Sequence, residues 1–398
     1  MPKNQLFRAK TLMVLEHDFP PDLRVENEIH ALSAAGFNVH LACLSKSNKN
    51  LTDSFNNATV YRKLITSFVD KSRVGALKFP IYFNYWRKYL RELIMREKYD
   101  VLHIHDLPLA KVGYELARVY GLFLILDLHE NWPALLEISP HTRTIPGRLL
   151  SSDNQWKKYE KEMVFKADHL IVVVDEAKKR IVRLGVNPDK VSIISNTLNI
   201  SQFAISPENS SIPEVILLYA GGITKHRGLQ VVIQAIKLVS PQISNIRLQI
   251  VGEGSYMPAL KKMVRQLSLD AYVEFTGWKN LSDLYVILQK ADFLIVPHLR
   301  SNHTDSTVPH KLFQYIYTNK PVIVSDCEPL KRIIEETGAG VVYRNNSPED
   351  LAKLLHKLIT DKDYCDSFRN KGKKWIEEKY NWAKDAKRLI EVYESVLQ

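Results

Sequence analysis

Two rounds of the same alternation constrain this chain more than any other feature. Short runs of Val, Ile, Leu and Phe alternate with helical patterns from one end to the other. In the first half the strand candidates are Thr11–Glu16, Asn38–Cys43, Val101–Ile104, Phe123–Asp127, His169–Val174 and Val191–Ile194. Helical patterns fall near Val25–Ala35, Tyr82–Lys98, Leu107–Tyr120, Gln155–Phe165 and Glu176–Leu184. Near-continuous apolar strands separated by helices are those of parallel sheets covered on both faces. The second half begins afresh with strand candidates Val215–Ala220, Arg247–Val251, Val273–Thr276, Phe293–Val296, Val322–Ser325 and Gly340–Tyr343. Its helices are expected near Leu229–Val239, Tyr256–Leu267, Leu281–Gln289, Lys311–Tyr317 and Leu330–Glu336. Between the halves, Ser206–Pro213 (SPENSSIP) is the best linker candidate. The expectation is α/β, two doubly wound domains over 1–208 and 209–380, with a helix over 381–398 crossing back to the first. In such folds ligands bind beyond the carboxyl ends of the strands, so two facing rims would form a cleft.

Composition narrows the class further. Apolar residues make up 45% of the 398 and charged residues 25%, which argues against disorder, collagen and coiled coil. Cys43, Cys327 and Cys365 are too few and too scattered for a disulfide framework or a zinc site, which suits a reducing compartment. The opening MPKNQLFRAK has no apolar stretch of the secretory kind, and runs such as Leu122–Leu126 and Leu170–Val174 fall far short of a membrane span. A cytoplasmic protein is expected. Its net charge of +11 suggests affinity for anions: nucleic acid, a phosphorylated ligand or an acidic membrane surface. Composition does not choose among them.

Three loops after strands carry candidate chemistry. Gly221-Gly-Ile-Thr-Lys-His-Arg-Gly228 combines glycines, free N–H groups at a helix start, and the cations Lys225 and Arg227. It reads either as an anion site, most plausibly for phosphate, or as a tight turn with solvated basic residues. It is neither a Walker loop nor a G-x-G-x-x-G. Val251-Gly-Glu-Gly254 is a second glycine turn, which alone reads more readily as structural. In Asp305-Ser-Thr-Val-Pro-His-Lys-Leu-Phe-Gln-Tyr315, Ser306 or Thr307 is expected to cap a helix with Pro309 in its first turn. Gln314 could then hydrogen-bond a ligand hydroxyl. His103 and His105 flank Ile104 on a strand, but no third ligand has suitable spacing, so no metal site is expected.

Taken together, GGITKHRGL, VGEG, FTGW and PHKLFQYIYTNKPVIVSD resemble the C-terminal half of a GT-B glycosyltransferase, family 4-like. The earlier segments DFPPDLRVENEIHALSAAGFNVHLA, HIHDLPLA, LDLHENW, ADHLIVVVDEAKKRI and VSIISNTLNISQF follow in that family's order. The resemblance spans nearly the whole chain and implies two Rossmann-like domains. It also implies retaining transfer of a sugar from a nucleotide diphosphate-sugar, with no metal or other cofactor. Arg227, and Lys225 with it, would clamp the diphosphate and stabilise the leaving group's charge. The segment Thr307–Pro309 would add N–H groups, and Gly277, Trp278 and Lys279 would line the base pocket. Gly221, Gly222, Gly252, Glu253, Val308 and Lys311 complete the implied donor set.

The chain departs from the family pattern in three places. The first glutamate of the E-x7-E motif, the usual donor-sugar contact, falls on Ser306, with Asp305 adjacent as a substitute. The second, the usual ribose contact, is Gln314, which lacks a carboxylate's charge-assisted strength. The arginine usual just after the first glycine of the phosphate loop is absent, with Gly222 there and Lys225 nearby.

In the first half the resemblance places the Asp127-Leu-His129-Glu130 segment at the cleft. His129 is favoured as a ligand to sugar or acceptor, because an imidazole can hydrogen-bond a hydroxyl in either protonation state. Asp127 is expected to brace the loop. Asp18, Arg24, His105, Asp106 and Glu130 are the acceptor-side candidates, with Arg24 facing phosphates or acceptor.

Residues 71–98 hold eight Lys/Arg against Glu92 and Glu97, with six aromatics among them. Tyr82, Trp86, Tyr89, Leu90, Leu93 and Ile94 share one helical face, so the segment reads as a core-packed helix with a solvated basic face. Equally it suits an interfacial segment drawn to anionic lipid, since many relatives act on lipid-linked acceptors. No nucleic-acid recognition motif is present. The leading expectation is a transferase acting on a glycan or lipid-linked acceptor in surface polysaccharide or glycoconjugate synthesis, cytoplasmic or peripheral on the inner face of the membrane. The alternatives are a degenerate glycosyltransferase that only binds, and a nucleotide-sugar 2-epimerase.

Overall fold

A computed structural model describes residues 9–46, 51–139, 142, 144–203 and 214–398. The chain divides into two compact units, Met1–Ser195 with Ala383–Gln398, and Asn196–Trp382. The expected boundary at 208/209 and the Ser206–Pro213 linker lie outside the described residues.

The first unit is built on eight strands: β1 (Lys10–Val14), β2 (Asn38–Ser45), β3 (Thr52–Phe55), β4 (Ala58–Leu64), β5 (Val101–His105), β6 (Phe123–Leu128), β7 (His169–Val172) and β8 (Val191–Ile193). Their order across the sheet is β3-β4-β2-β1-β5-β6-β7-β8. All neighbours are parallel except β3 with β4. The β3–β4 hairpin was not expected from sequence. Its residues are largely polar, and the turn is carried by Asn56 and Asn57, both with positive φ, the backbone that two-residue hairpin turns require.

Chain order reverses between β1 and β5, which makes the carboxyl ends of β1, β5 and β6 the natural ligand rim. The helix Leu23–Ala34 starts beside this rim. Asp22 caps it, its Oδ1 accepting from the N–H groups of Arg24 and Val25 at 3.2 Å each. The C-terminal helix Trp382–Leu397 packs on the same unit: the Tyr393 ring lies 5.3 Å from Phe37 and its hydroxyl bonds His103 Nδ1 at 2.8 Å.

The second unit has six parallel strands: β9 (Val215–Ala220), β10 (Ile246–Val251), β11 (Val273–Gly277), β12 (Phe293–Val296), β13 (Val322–Ser325) and β14 (Gly340–Tyr343). Their order is β11-β10-β9-β12-β13-β14, with the reversal between β9 and β12. Leu217, Leu248, Ile250, Ile295 and Ile323 on the strands pack with Val232, Ile236 and Leu355 from the helices Leu229–Val239 and Pro348–Thr360. That fixed core holds the loops after β9 and β12 at one edge.

Candidate functional site

In the second unit, main-chain bonds tie neighbouring rim loops together. Gly221 N–H donates to Val251 O (2.9 Å), Ile223 N–H to Glu253 O (2.8 Å), Gly252 N–H to Gly277 O (2.8 Å) and Leu299 N–H to His226 O (2.8 Å). Gly228 must be glycine: its φ is +76°, and a Cβ there would sit 1.7 Å from Pro297 O. The loops after β9, β10, β11 and β12 therefore form one connected rim.

Arg227 and Lys225 lie in a single turn of 3-10 helix, Lys225–Arg227, ahead of the helix Leu229–Val239. Their surroundings differ. Lys225 is exposed, whereas Arg227 is half-buried and its Nη1 donates to His298 Nε2 at 2.9 Å. His298 itself is buried. Burial, then Arg227 and Lys311, hold its imidazole well below the ordinary histidine range, so it stays a neutral acceptor. Burial and Arg227 likewise push His226 down to about 4, and burial, His226 and Arg227 push His303 down to about 3. Positive charge is concentrated here among imidazoles that do not add to it.

The expected cap at Ser306 or Thr307 is corrected. Ser306 ends a separate turn, Thr304–Ser306, and its Oγ donates to Asn302 O at 2.7 Å. The helix Lys311–Tyr317 starts later, with His310 at its cap position and no side-chain capping bond. Asp305 is also committed: its Oδ2 accepts from Arg300 Nε (2.9 Å) and its Oδ1 from Glu328 N–H (3.0 Å). These two bonds brace the loop. Val308 and Gln314 are both buried, Gln314 at 6% exposure. Of the other donor candidates, Gly221, Gly222 and Glu253 are exposed, Gly277, Lys279 and Thr307 half-buried, Gly252 buried, and Trp278 is 70% exposed.

In the first unit Asp127 is the centre of a buried cluster. Its Oδ2 accepts from His105 Nδ1 at 3.2 Å and from His129 Nε2, and lies 3.7 Å from His103 Nε2. Burial alone would raise the Asp127 carboxyl, but His129, His103 and His105 outweigh it and hold it well below the usual carboxylate range. Burial pushes His105 down to about 3 and lowers His103. Glu28, also buried, lies 3.9 Å from His129 Nε2 and 4.0 Å from the Nε2 atoms of both His103 and His105. Burial and the Asp127 charge raise its carboxyl well above the ordinary value.

The expectation that His103 and His105 have no third partner is thus corrected. Glu28, His103, His105 and Asp127 bring donor atoms within 4.8 Å of one another, close enough to hold a metal ion. Glu28 comes from a helix and Asp127 from another strand, so spacing near His103 and His105 does not reveal them. Arg24 acts on these carboxylates through its charge. Its guanidinium lies 3.7 Å from Asp22 and 3.9 Å from Asp106, and Asp106, Asp22, Asp127 and Glu28 together keep it firmly charged against its burial.

Of the acceptor-side candidates, Arg24, His105 and Asp106 therefore meet in one network with Asp127 and His129. Glu130 is half-buried just beyond it, and Asp18 accepts from Phe19 N–H at 3.0 Å within its own loop. Sequence reasoning missed Glu28, although it stands out as a charge in the apolar stripe Val25, Ile29 and Leu32. His298 beyond β12 and Glu16 beyond β1 fall on rims that the strand pattern marks but were not singled out there; burial pushes the Glu16 carboxyl up to about 7.

This fold and these rims define a class. Residues 24–202 match the family described as Glycosyltransferase Family 4, and residues 202–375 match the family described as Glycosyl transferases group 1. The chain is 24% identical over 350 residues to an uncharacterised glycosyltransferase of Methanocaldococcus jannaschii, covering 83% of this chain and 85% of that one. Its fold is that of sucrose-phosphate synthase from Thermosynechococcus elongatus, with a TM-score of 0.81 at 16% identity, covering 98% of this chain and 99% of the other. It is also similar to an Anabaena protein solved in complex with UDP-glucose, with a TM-score of 0.69 at 14% identity over 97% of this chain and 99% of that one. The chain belongs to the GT-B glycosyltransferases of the family 4 type.

Proposed function

We propose that this glycosyltransferase takes its sugar from a nucleotide diphosphate-sugar, passes it to a glycan or lipid-linked acceptor with retention, and needs no metal to do so. The observation that supports this most is the cationic rim beyond β9 and β12. Arg227 is anchored by a neutral imidazole, and its charge acts on the half-buried Lys311. Such a setting suits a diphosphate, whose growing negative charge on leaving would be met by the preformed charge of Arg227. Lys225, Gly221, Gly222, Gly252, Glu253, Thr307 and Val308 are the neighbouring groups for the phosphates and sugar, Gly277, Trp278 and Lys279 for the base, and Gln314 for the ribose. His129, fixed by Asp127, is the proposed contact to a sugar hydroxyl, with Arg24, His105, Asp106 and Glu130 behind it.

The test is a thermal-shift panel of UDP, GDP and ADP with their sugars. A nucleotide near 100 times its Kd should add about 2.7 kcal/mol of stability, a shift of a few degrees. If none of these nucleotides moves the melting curve, the donor reading falls.

The acceptor reading has its own support. The helix Ile81–Glu97 buries Tyr82, Phe83, Trp86, Tyr89, Leu90, Leu93 and Ile94 in the first unit. Its Lys88 and Arg91 are exposed, as are Phe68, Phe79 and Ile81. Arg87 is paired with Glu115 at 2.5 Å. Among the described residues no helix is long and apolar enough to cross a membrane, so attachment would be peripheral. Basic residues near an anionic surface contribute about 1 kcal/mol each. Changing Lys88 and Arg91 to Gln should therefore weaken sedimentation with anionic vesicles by about 30-fold, and added salt should do the same. Partitioning that ignores both changes would refute membrane attachment.

A further inference from the structure

The loop Gly221–Gly228 has Gly222 after its first glycine, and its Lys225 is exposed. A lysine amine from another element lies against the loop's first glycine. From the helix Lys311–Tyr317, Lys311 Nζ donates to Ala220 O at 2.9 Å, where β9 ends. It lies 3.7 Å from the centre of the Tyr219 ring. A Cβ at Gly221 would come within 2.8 Å of that Nζ, so the loop's first glycine leaves room for the lysine. Tyr315, one turn along the same helix, fixes the other side of this junction: its hydroxyl accepts from Ala220 N–H at 2.8 Å.

We propose that Lys311 is the second cation of the diphosphate site beside Arg227, and that the site gains a proton when a nucleotide-sugar binds. The proposal rests on the donor reading above and adds which residue completes the site and how binding responds to pH.

The proton follows from the surroundings. Among the described residues, the ionisable groups that act on Lys311 or respond to it are Arg227 from the loop, His226 beside it, and His298 beyond β12. Tyr219 on β9 and Tyr315 on the helix are phenols that burial raises, Tyr219 to about 12, so neither offers a negative charge near neutrality. Burial and Arg227 hold the Lys311 amine well below its ordinary range. A diphosphate brings the missing negative charge, which favours the ammonium form. Binding then takes up protons, and affinity rises as pH falls, by up to tenfold per pH unit for one proton. His226, down at about 4, does not titrate in the same window.

UDP-glucose and its GDP- and ADP-linked counterparts are suitable probes, because a diphosphate esterified at both ends has no proton of its own to gain near neutrality. Calorimetric titration of the full chain between about pH 6.5 and 8.5, in buffers of different ionisation heat, reads proton uptake without any substitution. The wild-type protein should show uptake and tighter binding at the acid end. Lys311→Met, which keeps the stem against Tyr219, should lose about 10- to 100-fold in affinity and lose the pH slope. Lys225→Ala should cost less than Lys311→Met.

Binding by Lys311→Met equal to wild type, or a larger loss from Lys225→Ala, overturns the assignment of Lys311. Loss of affinity in Lys311→Met with no buffer-dependent heat in the wild type overturns the proton step. A wild-type protein that binds no probe overturns the donor reading itself, and this proposal with it.

Discussion

Arg227→Ala should cut by about half or more the thermal protection that a nucleoside diphosphate gives the wild type at 100 times its Kd. The side chain is half-buried, carries a full charge and is fixed by one directed bond, 2.9 Å from Nη1 to His298 Nε2. A charge-assisted contact to phosphate contributes about 1.5–3 kcal/mol, so affinity should fall by at least about 10-fold and by up to about 100-fold. The unliganded protein should lose less, on the order of 1 kcal/mol, because removing the guanidinium leaves the buried His298 acceptor without its donor. Arg227→Lys separates charge from shape. It restores a cation but not the planar fork, and recovery should be partial. The measurement is the ligand-induced shift in melting temperature for the three proteins side by side. Protection retained in full by the alanine variant would show that the cationic turn Lys225–Arg227 is not the donor site.

The layout of the second unit was largely legible because its buried parallel strands write themselves as continuous apolar runs. The observed bounds of Val215–Ala220, Phe293–Val296, Val322–Ser325 and Gly340–Tyr343 are those expected, as is the helix Leu229–Val239. Local signals failed where polar residues did the pairing. The strands Thr52–Phe55 and Ala58–Leu64 carry Asp53 and Arg62, which meet at 3.2 Å, and no apolar alternation marks the outer one. The run Ser306-Thr-Val-Pro309 has the composition of a helix start, yet its serine closes a turn of its own, and a single chain of side-chain preferences cannot show which of two adjacent turns wins.

Site residues were legible one at a time and not as partners. Arg227 and His298 are 71 positions apart, and Lys311 reaches Ala220 across 91. Sequence spacing is silent at such separations, since it is the strand order β10-β9-β12-β13 that brings the loops together. Glu28 was hidden for a different reason. A glutamate in an amphipathic helix is usually on its wet face, and only the register of Val25, Ile29 and Leu32 places it inside.

Asp127→Asn should be the most destabilising of the conservative changes in the first unit, and its cost should depend on pH. The carboxylate is fully buried and is met by His129, His105 and His103, so losing its charge removes the partner of a buried cluster, an effect of about 3–5 kcal/mol. The sign of the pH dependence follows from the direction of the shift. Asp127 is held well below its unfolded value, so its contribution is present above about pH 4 and is lost as pH falls toward the folded value. Wild type and variant should therefore differ most near neutrality and converge in acid. Glu28 works the opposite way. Its carboxyl is raised by burial and by Asp127, so the proton it retains favours the fold at low pH, and that contribution is lost as pH rises through its folded value. Removing the Asp127 charge also relieves Glu28, which trims the penalty at the alkaline end. Urea unfolding followed by the fluorescence of Trp86 and Trp156, both buried in the first unit, reads the difference between about pH 7 and about pH 2, on either side of the unfolded carboxyl's pKa. A gap that stays constant, or widens toward acid, would mean that Asp127 acts through its shape and hydrogen bonds and not through its charge.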